Sequence, residues 1–247
     1  MMLRTPAAAS GTAPRLETPV WASLAMREME ADVACAVSSD LNVLITGEAG
    51  VGKKSMARRI HLRSRRASSP LVVVRSPRGP EASEAFDAAL LEAFPDGAVL
   101  LENPEWLSPV MQSRLHRFVD RSPIAEAGGP PVEHGSQVRF VTATSGDLFT
   151  LVKTRQFSEW LFYRLNAVHL TMPPLRDRAE DIPALLQQFL SSLASPVPRL
   201  STATRRHLVA HAWPGNLWEL RAVAELLASL DPCHVLEPED LPPSLRR

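Results

Sequence analysis

Residues 44–53, Leu-Ile-Thr-Gly-Glu-Ala-Gly-Val-Gly-Lys, limit what this chain can fold into more than any other stretch. An apolar run leads directly into a glycine-rich turn, and a lysine then opens a helical pattern. The spacing of Gly47, Gly52 and Lys53 fits G-x-x-x-x-G-K. In such a turn the backbone N–H groups converge on a phosphate, the helix N-terminus adds a favourable dipole, and the lysine adds a point charge. Gly47, Glu48, Ala49, Gly50, Val51, Gly52 and Lys53 are therefore candidate phosphate-binding residues, with Lys54 and Ser55 beside them. The bland alternative is an ordinary glycine turn between a strand and a helix. The Ser or Thr that usually follows the lysine and meets Mg²⁺ is replaced by Lys54.

Five apolar runs without alternation, at 41–46, 71–75, 98–102, 138–142 and 168–172, read as buried parallel strands covered by helices on both faces. Helical patterns lie between them, for example 55–65 and 109–119. This is the signature of an α/β doubly wound domain. Beyond Pro173-Pro174 no strand candidate remains. Ile182, Leu185, Leu186, Phe189, Leu190 and Leu193 form one helical stripe, and Leu217, Leu220, Val223, Ala224 and Leu227 another. Asn216 stands where an N-cap belongs, with Glu219 three residues on. The expected organisation is a disordered leader over 1–18, an α/β domain over 19–172 and a small all-helical lid over 173–247. Loops are expected at 76–83 and 125–136.

Composition excludes several classes. The 247 residues carry 27 basic and 27 acidic side chains, so no global charge draws the chain to DNA or an anionic membrane. No apolar run approaches the roughly 20 residues that span a bilayer. Cys35 and Cys233 lie far apart and fit a reducing, cytoplasmic setting rather than a disulfide or zinc framework. The basic cluster Arg58, Arg59, Arg63, Arg65 and Arg66 lacks interleaved aromatics and reads as a solvated helix end rather than a nucleic-acid site.

Four segments in order narrow the reading: 43–53 with Ala57-Arg58-Arg59-Ile60-His61, Phe162-Tyr163-Arg164-Leu165-Asn166, Pro173-Pro174-Leu175-Arg176-Asp177-Arg178-Ala179-Glu180-Asp181-Ile182-Pro183, and Trp213-Pro214-Gly215-Asn216. Together they resemble the AAA+ domain of bacterial enhancer-binding activators of sigma-54 RNA polymerase, over roughly residues 19–242. The resemblance implies a P-loop AAA+ fold with a five-stranded parallel sheet and a helical lid. It also implies ATP or ADP as ligand, a ring of subunits, and an active site between them.

The departures from that pattern are as informative as the matches. The family's Walker B strand ends in Asp-Glu, the Asp holding Mg²⁺ and the Glu polarising water; here stand Glu102 and Asn103. Glu102 can still meet a metal, whereas Asn103 cannot act as a base. The polar residue ending the next strand is Ser145 rather than Asn. The first arginine-finger position holds Ser158, while the second keeps Arg164. The lid arginine that senses the γ-phosphate is replaced by Trp218. One lost arginine finger alone costs on the order of 10³-fold or more in rate, and a lost acid–base group about 10²–10⁴-fold, non-additively. Lys54, where the family usually has Glu, favours phosphate over Mg²⁺, so the metal requirement is left open. Trp21 occupies a glycine position of the family's adenine pocket, either stacking on adenine or anchoring the domain edge.

The family's Gly-Ala-Phe-Thr-Gly-Ala hairpin, which engages sigma-54, is not in the sequence, and only residues 76–97 join the strands that flank it. A helix-turn-helix is not expected in the residues after the lid. Three functional expectations follow. One is a degenerate, nucleotide-binding regulatory domain with little hydrolysis, acting through protein partners such as other AAA+ subunits, without direct sigma-54, DNA or membrane contact. A second is a nucleotide-free scaffold, and a third an ATPase subunit active only in a mixed ring.

Overall fold

The computed structural model describes residues 21–77, 83–93, 97–119, 138–193, 196–230 and 235–246. The expected leader over 1–18 and the loop over 125–136 lie outside them. Helix α1 (Leu24–Ser38) precedes β1 (Val43–Thr46), α2 (Lys53–Arg63), β2 (Leu71–Arg75), α3 (Ser83–Leu91), β3 (Ala98–Glu102), α4 (Pro109–Val119), β4 (Arg139–Thr144), α5 (Leu148–Lys153), α6 (Glu159–Leu165) and β5 (Val168–Thr171). The sheet is parallel throughout, in the order β2-β3-β4-β1-β5. Parallel strands need crossovers, so helices cover both faces and the central strands read as unbroken apolar runs. Accordingly Ala98–Leu101 and Val43–Ile45 are buried throughout. One face packs Phe86, Leu90, Met111, Leu115, Leu161 and Leu165, and the other Met26, Val33, Met56, Ile60 and Leu170.

The lid comprises a 3₁₀ segment (Leu175–Asp181), α7 (Ile182–Leu193), α8 (Thr202–Ala210) and α9 (Asn216–Ala228). Its core is built on Leu186, Leu190, Leu208, Leu220, Leu227 and the fully buried Trp213, whose indole N–H donates to Leu208 O at 2.8 Å. Both expected helical stripes face this core, except that Leu193 is exposed and Phe189 and Leu217 are only partly buried.

Two expectations are corrected. The lid is not all helical, because β6 (Arg199–Leu200) and β7 (Val235–Leu236) form a parallel two-residue ladder. Two residues are too few to leave a periodic signal. Asn216 is not the N-cap of α9. That place belongs to Gly215, whose N–H is held by the Glu219 carboxylate at 2.9 Å. Asn216 is itself buried and turned toward the core domain.

Much of the basic cluster is used internally. Arg59 and Arg63 both pair with Glu30, at 2.9 and 2.8 Å, and Arg66 pairs with Asp40. Among the described residues no helix is long and apolar enough to cross a membrane.

Candidate functional site

At the C-terminal edge of β1 the chain makes its glycine turn. Gly47, Gly50 and Gly52 have φ of 142°, 78° and 103°, values that side-chain-bearing residues rarely adopt. Gly50 has a second reason to be glycine. A Cβ there would stand 2.6 Å from the carbonyl oxygen of Gly215 in the lid. The turn and the lid therefore touch backbone to backbone.

That contact is one of several. Leu217 N–H donates to Gly50 O at 3.0 Å. The Asn216 amide donates to Ala49 O at 3.0 Å and to the Glu48 carboxylate at 3.1 Å, and its oxygen accepts from Leu175 N–H at 2.8 Å. Arg178, almost fully buried, donates to Val51 O at 2.6 Å. Arg176 grips Glu48 with both terminal guanidinium nitrogens, at 2.6 and 3.0 Å. Four consecutive residues of the turn, Glu48 to Val51, are thus held by lid groups.

The Glu48–Arg176 latch has a definite pH range. The hydrogen bonds from Arg176, and then that from Asn216, hold the Glu48 carboxyl down at about 2 against its ordinary 4.5. A depressed carboxyl pKa contributes stability that is complete above the unfolded value and is lost as pH falls through the folded one. The latch should therefore persist to about pH 2. Both partners are solvent-exposed, so salt screens the attraction. Glu48→Gln is expected to speed amide exchange in residues 48–52 and at the start of α9, with the difference shrinking at high salt. Hydrogen-exchange mass spectrometry checks this; unchanged exchange at low salt would show the latch to be ornamental.

Beside the turn lies a cleft of about 690 Å³. Its floor is Ala49, Gly50, Gly52, Lys53, Lys54 and Ser55, one wall is Glu102, Asn103, Glu105 and Ser145, and the lid supplies Phe189, Leu217, Trp218 and Arg221. Lys53 crosses the floor, donating to Gly47 O, Glu48 O and Ser145 Oγ, each at 2.8 Å. Burial pushes its ammonium pKa down, and the nearby Glu105 carboxylate pulls it up. Lys54 stands 2.8 Å from Glu102 Oε1, an ion pair off the line of an ordinary hydrogen bond.

The other expected site residues divide between this cleft and elsewhere. Asn103 follows β3 in the left-handed region (φ 52°), a conformation asparagine tolerates. Its N–H is bonded to Ala143 O at 2.9 Å. Trp218 stands at the mouth, 68 % exposed. Ser158 lies outside the cleft, capping α6 through Leu161 N–H while its own N–H donates to the Gln112 side chain at 2.7 Å. Arg164 also lies outside it, with its guanidinium over the Trp160 ring at 5.2 Å.

Glu48 and Val51 belong to the turn but not to the cleft lining, because Glu48 points to the lid and Val51 is buried. Trp21 does not line the cleft either. It packs against both the core and the lid clusters, with Arg59 over its ring at 5.7 Å. Sequence reasoning missed Glu105, which accepts from Thr144 Oγ1 at 2.7 Å, and the cations Arg75 and Arg221. Only the turn of 3₁₀ helix after β3 brings Glu105 round to the cleft.

Comparison with known proteins agrees with this architecture. The Sigma-54 interaction domain family matches residues 20–175, and the AAA+ ATPase lid domain family matches 176–247. Regulatory protein AtoC of Escherichia coli is 36 % identical over 91 % of this chain and 53 % of its own length. The DNA-binding transcriptional regulator NtrC of Rhizobium meliloti is 34 % identical over 91 % of this chain and 50 % of its own. This chain thus spans about half the length of the curated relatives it matches. NtrX of Brucella abortus, solved in complex with ATP, superposes with a TM-score of 0.77 at 28 % identity, over 94 % of this chain and 58 % of NtrX. NtrX has also been solved in complex with ADP, with a TM-score of 0.75. The chain belongs to the sigma-54 interaction domain family of AAA+ proteins, with an AAA+ lid following its α/β domain.

Proposed function

We propose that this domain binds ATP or ADP in the cleft, hydrolyses it little or not at all, and uses the bound nucleotide to set how lid and core sit for a protein partner. The observation that carries the reading is the composition of one cleft. The phosphate-binding turn and Lys53 are complete, while the groups that would activate water or sense the γ-phosphate are Asn103, Ser145 and Trp218. The lid's hold on residues 48–51 supports a regulatory use, since a ligand seated on the turn bears directly on the lid's anchor points. NtrX, at 28 % identity, carries ATP or ADP in its solved complexes, and relatives such as AtoC and NtrC are named as regulators.

The partner side of the reading rests on the missing Gly-Ala-Phe-Thr-Gly-Ala segment. We infer that the domain does not itself drive sigma-54 but joins or caps other AAA+ subunits. Arg164, held on α6 outside its own cleft, suits a role toward a neighbouring subunit.

Turnover and binding are tested together. Calorimetry is expected to show ADP and ATP binding, while phosphate release runs at least about 10³-fold below that of a relative with the full catalytic set. Turnover within tenfold of that relative, abolished by Lys53→Ala, would refute the low-hydrolysis reading. Such turnover should then also fall in Glu105→Gln, because Glu105 is the cleft carboxylate not paired with Lys54. Absence of any nucleotide effect at millimolar concentration would leave the scaffold reading, and hydrolysis appearing only on mixing with an intact relative would favour the mixed ring.

A further inference from the structure

In P-loop sites two positions hold the divalent cation: the residue after the loop lysine and the acid that ends the following strand of the motif. In this chain they are Lys54, in the first turn of α2, and Glu102, the last residue of β3. They do not leave room for a metal between them; they pair with each other. Lys54 Nζ stands 2.8 Å from Glu102 Oε1, and Arg75 Nε stands 3.4 Å from Oε2. The Glu102 side chain is 3 % exposed, so both oxygens of a buried carboxylate already face cations.

This donor set does not fit Mg²⁺. The ion needs oxygen ligands in near-octahedral order at close to 2 Å. A lysine ammonium offers three N–H donors and no acceptor, and its positive charge repels a dication at the same spot. The charge of the cleft points the same way. Lys53, Lys54, Arg58, Arg75 and Arg221 line it against the two carboxylates Glu102 and Glu105, an excess of three positive charges in a chain that is neutral overall. A polyphosphate stripped of metal matches that excess, whereas a magnesium complex brings its own compensation and needs less.

We propose that the Lys54 ammonium, anchored on Glu102, stands in the place of the divalent cation, and that the cleft takes nucleoside di- or triphosphates in their metal-free form. This rests on the nucleotide-binding reading above and specifies the chemical form of its ligand. Lys53 and Lys54 would face the phosphate chain together, with Glu102 holding Lys54 in position.

The test is calorimetry of the full chain with ADP and with ATP, once with excess Mg²⁺ and once with EDTA. Affinity is expected to be the same within about threefold, or higher in EDTA. Electron paramagnetic resonance of Mn²⁺ gives a second readout that needs no variant: with saturating nucleotide, the protein should take up no manganese beyond what nucleotide alone binds. The variant Lys54→Ser with Glu102→Asp, which restores a metal-type donor set, should become at least tenfold tighter with Mg²⁺ than without. A wild-type affinity that rises tenfold or more with Mg²⁺, or stoichiometric Mn²⁺ in the ternary complex, overturns this inference and leaves nucleotide binding standing. No binding in either buffer overturns both.

Discussion

Lys53→Ala is expected to abolish measurable nucleotide binding while leaving the fold intact. The Lys53 ammonium donates to Gly47 O, Glu48 O and Ser145 Oγ, and these are neutral acceptors at the edge of the cleft. Incoming phosphate oxygens replace some of them with bonds in which donor and acceptor are both charged, stronger than bonds from the same ammonium to neutral oxygens. Two such bonds at about 1.5–3 kcal/mol each make the loss about 3–6 kcal/mol, or roughly 10²- to 10⁴-fold in affinity. Folding depends far less on this side chain, because its present partners sit beside solvent and can turn to water. Calorimetry should show no heat of binding at nucleotide concentrations that saturate the wild type, and the melting temperature without nucleotide should stay within a few degrees. A loss below tenfold would place the phosphates away from the glycine turn and remove the basis of the proposed function.

The residues that local patterning could find are those whose role is set within a few neighbours. The strand runs end within two residues of β1 to β5, because burial on both faces leaves an unmistakable apolar stretch. The span 109–119 is α4 residue for residue. The glycine turn was legible because its backbone angles demand glycine. What stayed hidden depends on distant partners. Asn216 fits a cap by its residue type, yet its buried amide reaches Glu48 and Ala49 across 168 and 167 residues of sequence. Glu48 looks like a loop residue near phosphate but serves the lid. Glu105 sits in a segment that no motif marks, and reaches the cleft only through the 3₁₀ turn after β3. The Lys54–Glu102 pair lay between these cases: each residue was visible as a departure from the expected pattern, but nothing in the linear sequence shows that the two departures meet.

The strongest effect on stability is expected from Asp181→Ala. Asp181 ends the 3₁₀ segment of the lid and is almost fully buried. One carboxylate oxygen accepts from Ala22 N–H at 2.7 Å and Ser23 N–H at 3.0 Å, and the other accepts from Ser23 Oγ at 2.7 Å. Ser23 is the N-cap residue of α1, but its hydroxyl makes no cap of its own and donates to Asp181 instead. The lid thus caps a core-domain helix, and its negative charge meets the positive end of that helix dipole. Alanine would strand the two buried Ser23 donors inside the interface, whereas the part-buried Ala22 N–H can turn to water. Each unsatisfied buried donor costs about 1–3 kcal/mol, so the two Ser23 donors put the expected loss at about 2–6 kcal/mol. For a chain of this size each kcal/mol lowers the melting temperature by roughly 2–4 °C, giving a fall of about 10 °C. Asp181→Asn keeps an acceptor oxygen and loses the charge, so it should fall between alanine and wild type. Because the lost cap joins core to lid, scanning calorimetry of the alanine variant should also show a broadened or divided transition, as the lid releases before the sheet melts. A melting temperature within 2 °C of wild type and a single sharp transition would mean that Arg178, Asn216 and the Glu48 latch hold the lid without Asp181.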